Sequence, residues 1–258
     1  MSKGKDTVKQ TIIIAAALSL VCSVIVSVAA VKLRPIQDKN KALDKKTNIL
    51  MAASLYEEGA PVEELFKKYV EPKLVNLADG SYVEGQEAEE YDQYKEVKNA
   101  SERLVLDPKI DVAGLRMIAR YAVVYEVKKE GKLEQVVVPI HGKGLWSTLY
   151  GFVSVSSDGN TIKGLGYYDH GETPGLGGEV DNPKWKASWN GKQINDNEGN
   201  LQIEVIKGKV DLARDEALHQ VDGLSGATIT GRGVSHMVQF WLGERGFKKY
   251  FERIKDKS

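Results

Sequence analysis

Cysteine is nearly absent from the 258-residue chain. Cys22 stands alone, so no disulfide can form within the polypeptide. It lies in an apolar run, where a thiol behaves as a small hydrophobe rather than a catalytic group. Histidine is scarce, with four residues, and no zinc-type spacing of Cys and His occurs. Neither sign of charge is in excess: 36 Lys plus Arg balance 36 Asp plus Glu. That balance excludes a global field that would draw in nucleic acid or an acidic partner. The sequence also lacks an internal repeat, a low-complexity tract, a dinucleotide-binding fingerprint and a convincing Ser/His/Asp constellation. The length suits one sizeable domain or two small ones.

What is present begins with a long uncharged stretch. Thr11 to Val31 reads TIIIAAALSLVCSVIVSVAAV. Roughly 20 apolar residues in a helix cross the hydrocarbon core of a bilayer. A signal-peptide core of about 7–15 residues is shorter than this run, which favours a retained anchor. Lys32, Arg34, Lys39, Lys41, Lys45 and Lys46 follow the span and outnumber Lys3, Lys5 and Lys9 before it. Taken alone, that bias puts the C-terminal part in the cytoplasm, although long domains translocate largely regardless of flanking charge.

Beyond the span, Pro35 is expected to break the helix. Lys39 to Glu58 carries an imperfect apolar stripe and reads as a helix stopped by Gly59. Pro61 opens a short helix with Val62, Leu65, Phe66 and Tyr69 on one face, ended by Pro72. Glu84 to Lys98 is acidic and reads as a solvated helical face rather than a metal site. Strand signals follow. Arg116 to Val127 and Leu133 to Ile140 form one hairpin, and Leu149 to Ser156 and Thr161 to Tyr168 form a second around Ser157-Asp158-Gly159-Asn160. Leu201 to Lys207 alternates as a strand, and Asp211 to Gln220 reads as a helix. Val234, Met237, Val238 and Trp241 repeat with helical period, and Phe247, Tyr250, Phe251 and Ile254 mark a last amphipathic helix. Strands followed by helices without βαβ alternation predict an α+β fold: a mostly antiparallel sheet with flanking helices, behind a single N-terminal transmembrane helix.

Three glycine-containing stretches could carry chemistry. Asp222-Gly223-Leu224-Ser225-Gly226-Ala227-Thr228-Ile229-Thr230 is small-residued and rich in hydroxyls. A Gly/Ser/Thr loop feeding a helix offers free N–H groups and the positive end of a helix dipole, which suits a phosphate. The spacing equally suits a capped turn with Thr230 or Ser225 as the N-cap. His141-Gly142-Lys143-Gly144-Leu145-Trp146-Ser147-Thr148 joins two strands. It is either an anion-binding loop whose tryptophan covers an aromatic ligand, or a plain turn; it is not a P-loop, since no GK[ST] follows. His170-Gly171-Glu172-Thr173-Pro174-Gly175-Leu176-Gly177-Gly178 must take a tight, exposed path. His170 and Glu172 alone make a poor metal site, and His170 fits better as a residue that orders the loop. Lys207, after a strand, is either solvated or placed to tune a bound group.

Together HGKGLW, ETPGLG and DGLSGAT, in that order, resemble the NqrC family of the sodium-translocating NADH:quinone oxidoreductase, whose flavin domain is shared with a smaller relative in the Rnf electron-transport complex. The C-terminal Phe240 to Phe247 favours the sodium-pump branch; an Rnf-type protein is the alternative. The resemblance implies one FMN held by a phosphoester to Thr228, attached by a separate flavin transferase that reads a signature including Asp222, Ser225, Gly226 and Ala227. It further implies flavin contacts from Gly142, Leu145, Trp146, Thr148, Thr173 and Leu176, with Glu172 a further candidate; Lys207 is a candidate on its own chemistry, since a lysine beside a flavin stabilises its reduced form. By the same resemblance the segments are a cytoplasmic N-terminus (1–10), the transmembrane helix (11–33), a helical membrane-proximal region (34–100) and a periplasmic FMN-binding domain (101–258). The expected location is the bacterial inner membrane, single-pass, beside other subunits of the complex, with no nucleic acid and no bound metal. The expected role is electron relay in a complex that oxidises NADH, reduces ubiquinone and moves Na+; a membrane-anchored module holding flavin or phosphate non-covalently is the competing reading. One departure stands out: Gly231-Arg232-Gly233 follows Ile229-Thr230 where members often continue with a serine and an asparagine.

Overall fold

The computed structural model describes residues 7–255. Lys3 and Lys5 of the expected cytoplasmic segment lie outside them. The chain forms two compact units, one ending at Asp44 and the other beginning at Lys45.

The first unit is helical. Helix α1 runs Val8–Ala52, with an apolar window of mean hydropathy 2.8, none of it buried. By length and composition it can cross a membrane. Pro35 does not end it, contrary to the sequence expectation. A proline removes one i→i−4 bond and strains one turn, and here long helical stretches on both sides carry the helix through.

The second unit continues with α2 (Val62–Tyr69), β1 (Val70–Asn76), a single turn α3 (Gln93–Glu96), and the short pair β2 (Arg103–Val105) and β3 (Met117–Ala119). Next come β4 (Tyr121–Lys129), β5 (Lys132–Lys143), β6 (Thr148–Ser156), β7 (Ile162–Asp169) and α4 (Pro183–Ala187). The last elements are β8 (Glu204–Val205), β9 (Gln220–Val221), α5 (Thr228–Leu242) and α6 (Lys248–Lys255). The main sheet has the order β1-β4-β5-β6-β7, antiparallel throughout. This bears out the α+β reading.

Both faces of the sheet are covered. Val136, Val138 and Ile140 of β5 face a core shared with Val234, Met237 and Trp241 of α5 and Phe251 of α6. Val137 faces the opposite core with Ile49, Leu50 and Phe66. Successive strand residues point to opposite faces, so a strand covered on both sides buries an unbroken run. The β4–β5 hairpin turns through Glu130 and Gly131, both with positive φ, as a two-residue turn between right-twisted strands requires.

Beyond Pro35, four expectations of the second unit change. Pro72 does not simply end α2: it lies in β1, opposite Tyr125, so residues 34–100 are not all helical. β1 is an edge strand, where a missing N–H leaves no ladder bond unmade. The acidic stretch 84–98 forms only the single turn α3, capped by Asp92. Asp211 to Gln220 is not an α-helix; a 3-10 turn, Asp215–His219, runs straight into β9. Leu201 to Lys207 is reduced to the two-residue β8, which pairs parallel with β9.

Candidate functional site

The site is built around the start of α5. Thr228 is its first residue, and Ala227 precedes it with no side-chain cap. The capped-turn reading therefore fails: Thr230 lies inside the helix and Ser225 before the cap. Gly231 and Gly233 are poor helix formers, which is why the apolar period begins only at Val234. Packing compensates, because a Cβ on Gly233 would strike the Lys143 carbonyl.

The loop before the helix is fixed by backbone-directed bonds. The Asp222 carboxylate accepts from the Val210 N–H at 2.8 Å, and its carbonyl accepts from Trp185 Nε1 at 2.8 Å. Gly223 N–H donates to the Gly208 carbonyl at 2.7 Å, and a side chain there would collide with the Ile206 carbonyl. Asp222 thus holds the turn that carries Lys207 and Lys209. Gly226 has φ +71, a conformation that glycine adopts without strain. A Cβ on it would stand 3.0 Å from Leu176 Cδ2, which brings the third motif against the first.

Glu172 joins all three stretches. It is 5% exposed. Its Oε1 accepts from the N–H groups of Trp146 at 2.9 Å and Ser147 at 3.3 Å, and its Oε2 accepts from the Thr230 hydroxyl at 2.6 Å. Burial alone pushes its carboxyl upward, but the Thr230 hydroxyl and the N–H groups of Trp146, Ser147 and Leu145 outweigh it. The carboxyl is held below its ordinary value, so it is ionised at neutral pH. Its neighbour His170 orders the loop, with Nε2 at 2.8 Å from Asp181 Oδ2 and Nδ1 accepting from the Glu172 N–H. Thr173-Pro174-Gly175-Leu176 is a tight turn: Leu176 N–H returns to the Thr173 carbonyl at 3.1 Å and Gly175 has φ +75.

The second stretch divides. Leu145 and Trp146 project outward, Trp146 at 71% exposure, as do Thr173 and Leu176. Thr148 is half-buried at the start of β6, and its carbonyl accepts from the Ser147 hydroxyl. Gly142 is buried in β5, where a Cβ would stand 2.7 Å from Met237 Cβ, so its role is close packing of α5. His141 is a core residue stacked on Tyr150, its carbonyl accepting from Trp241 Nε1; burial pushes its imidazole down to about 4.

On the other side of α5 lies a groove of about 730 Å³. Thr228, Ser225, Gly226 and Lys207 line it, with Thr228, Ser225 and Lys207 exposed. Lys209, Arg232 and His236 line it too. No motif marks these three in the sequence, although Thr228, Arg232 and His236 recur at i, i+4, i+8, a shared helix face. Among the described residues no group of three or more His, Cys, Asp or Glu side chains is placed to hold a metal.

Known proteins bear on this arrangement. Residues 144–243 match the FMN-binding domain family. The chain is 46% identical over 256 residues to the NqrC protein of the Na(+)-translocating NADH-quinone reductase of Vibrio alginolyticus, covering 99% of this chain and 98% of that one. The crystal structure of Shewanella oneidensis NqrC superposes with a TM-score of 0.77 at 40% identity, covering 84% of this chain and 99% of that one. That of the corresponding Na(+)-translocating NADH-quinone reductase protein from Parabacteroides distasonis gives 0.66 at 31% identity, covering 85% and 96%. The Rnf alternative gives way to these matches.

Proposed function

The chain belongs to the NqrC family of the Na(+)-translocating NADH-quinone reductase, and from that premise we propose that it carries one FMN as a phosphoester on the Thr228 hydroxyl. A separate flavin transferase makes the bond. The anchor holds the protein in the bacterial inner membrane with the second unit in the periplasm, against other subunits of the complex.

The observation that carries this reading is the contrast between two hydroxyls. Thr228 is exposed at the mouth of a groove, while Thr230 is 1% exposed and already bonded to Glu172. Only the former is open to modification. The groove has room for an extended ligand, and its glycines let the backbone approach one closely.

Bound FMN supplies redox chemistry that accepts electrons in pairs and passes them on singly. The chain does the holding. Glu172, by fixing the Trp146 and Ser147 amides, sets where the exposed Trp146 stands. Leu145, Trp146, Thr173 and Leu176 offer apolar and hydroxyl contacts for a flat ring, and Lys207 offers a positive charge to the reduced form. Ser225, Gly226 and Ala227 shape the loop that presents the acceptor. Oxidation of NADH, reduction of quinone and passage of Na+ fall to other subunits, since one helix cannot form an ion path.

Intact mass of the full chain, produced where the transferase is present, tests this. We expect one FMN increment in the wild type, none in Thr228→Ala, and the increment retained in Thr230→Val. A wild-type chain without the increment, or a flavin released by acid precipitation, overturns the covalent reading in favour of a non-covalent module.

A further inference from the structure

The departure at Gly231-Arg232-Gly233 acquires a place in the structure. Positions 228, 232 and 236 share one face of α5, and that face forms one wall of the 730 Å³ groove. Arg232 stands one turn along from Thr228, and side chains so spaced have Cβ atoms about 5–6 Å apart. The turn Lys207-Gly208-Lys209 lines the same groove. It is rigidly held, by Gly223 N–H on the Gly208 carbonyl at 2.7 Å and by Val210 N–H on the Asp222 carboxylate at 2.8 Å.

The charge here is unmatched. Among the described residues no acid pairs with Lys207, Lys209 or Arg232, whereas Lys46, Lys128 and Lys248 elsewhere each have a carboxylate partner. One acid, Glu204, also lines the groove and keeps its charge, since its partner is the neutral Gln220 amide at 3.2 Å, so three formal positive charges stand against one negative. Three cations held along one groove repel each other until an anion joins them. The chain as a whole is neutral, so this is a local concentration of charge.

We propose that Arg232, with the Lys207–Lys209 turn lining the same groove, is the phosphate-binding residue of this site and recognises the FMN phosphate at Thr228. The inference rests on the reading of Thr228 as the attachment point. A phosphodiester keeps two non-bridging oxygens and one negative charge. The guanidinium fork matches the first and neutralises the second, which a lysine does only as a point charge.

The test compares riboflavin with FMN, which differ only in the phosphate, on the full chain in detergent, made without the transferase and therefore flavin-free. Binding is read by quenching of flavin fluorescence. A charge-assisted bond of ordinary strength makes FMN about tenfold tighter or more. Arg232→Gln is expected to remove most of that preference, and Arg232→Lys to recover part of it. A wild type with equal affinity for the two flavins, or with affinity for neither, overturns the proposal, as does an unchanged preference in Arg232→Gln. The attachment reading fails separately. An FMN mass increment without phosphate preference sinks the Arg232 assignment alone, and phosphate preference without the increment sinks the covalent bond alone.

Discussion

Thr228 and Thr230 stand two positions apart on the first turn of α5 and have opposite surroundings. On one side of the helix, Thr230, Glu172 and the amides of residues 145–147 form a dry knot in which every named donor has an acceptor. On the other side Thr228 faces solvent among cations without partners. The knot is where stability resides, because buried polar groups are costly to orphan. The groove is the part to which we assign function, because its groups are still free to engage a ligand. Two like residues so close in sequence meet different surroundings because a helix turns 100° per residue.

Three substitutions probe that division. The largest effect is expected for Glu172→Ala, which leaves the Thr230 hydroxyl and two or more amides without an acceptor. It should lower stability by about 3 kcal/mol, read as a fall in the thermal midpoint of the full chain in detergent. A loss no larger than that of a surface mutation would show that the knot is not what holds the three stretches together.

Thr230→Val comes next, at about 1–2 kcal/mol at pH 7. It carries a pH signature. The Glu172 carboxyl is held below its ordinary value, so it contributes stability above the unfolded carboxylate range near ~4.3 and loses it as pH falls through the folded value. Without the Thr230 hydroxyl the folded value rises. The penalty should therefore be full at neutral pH and shrink as the medium is acidified below about 4, measured by thermal midpoints across that range. A penalty independent of pH would mean that the valine disturbs packing rather than the carboxylate.

The smallest effect on stability belongs to Trp146→Ala. Its indole is mostly exposed, and surface changes usually stay within about 0.5 kcal/mol. The same substitution should alter the fluorescence of bound flavin. A large loss of stability would place Trp146 with the knot instead of the ligand side.

Much of the architecture was legible from residue patterns. The uncharged run at 11–31, the two hairpins and the apolar stripes of α5 and α6 have the periods of the elements they form. Pro72 misled because a proline reads as a stop unless the strand it occupies is known to be an edge. Gly233 hid the true start of α5 because its value is close approach to the end of β5, a contact between distant positions. The acidic stretch at 84–98 had helix-like composition and yet formed a single turn, held by Tyr91 against Tyr121 and by Tyr94 against His141 and Tyr150. At the site, the hydroxyls, glycines and lysine were visible as types. Asp222's bond to Val210 and Glu172's three partners were not, because each links residues 12 to 58 positions apart.

Local order alone determined that this chain has a long apolar helix, an α+β unit and a hydroxyl-rich loop at the head of a helix. Those features depend on periodicity and on backbone preferences that neighbouring residues share. Which threonine is buried, which carboxylate binds three loops together, and which cations stand along one groove were decided only by folding. A hydrogen bond or an unpaired charge takes its meaning from what surrounds it, and here those surroundings come from strands and turns far away in the chain.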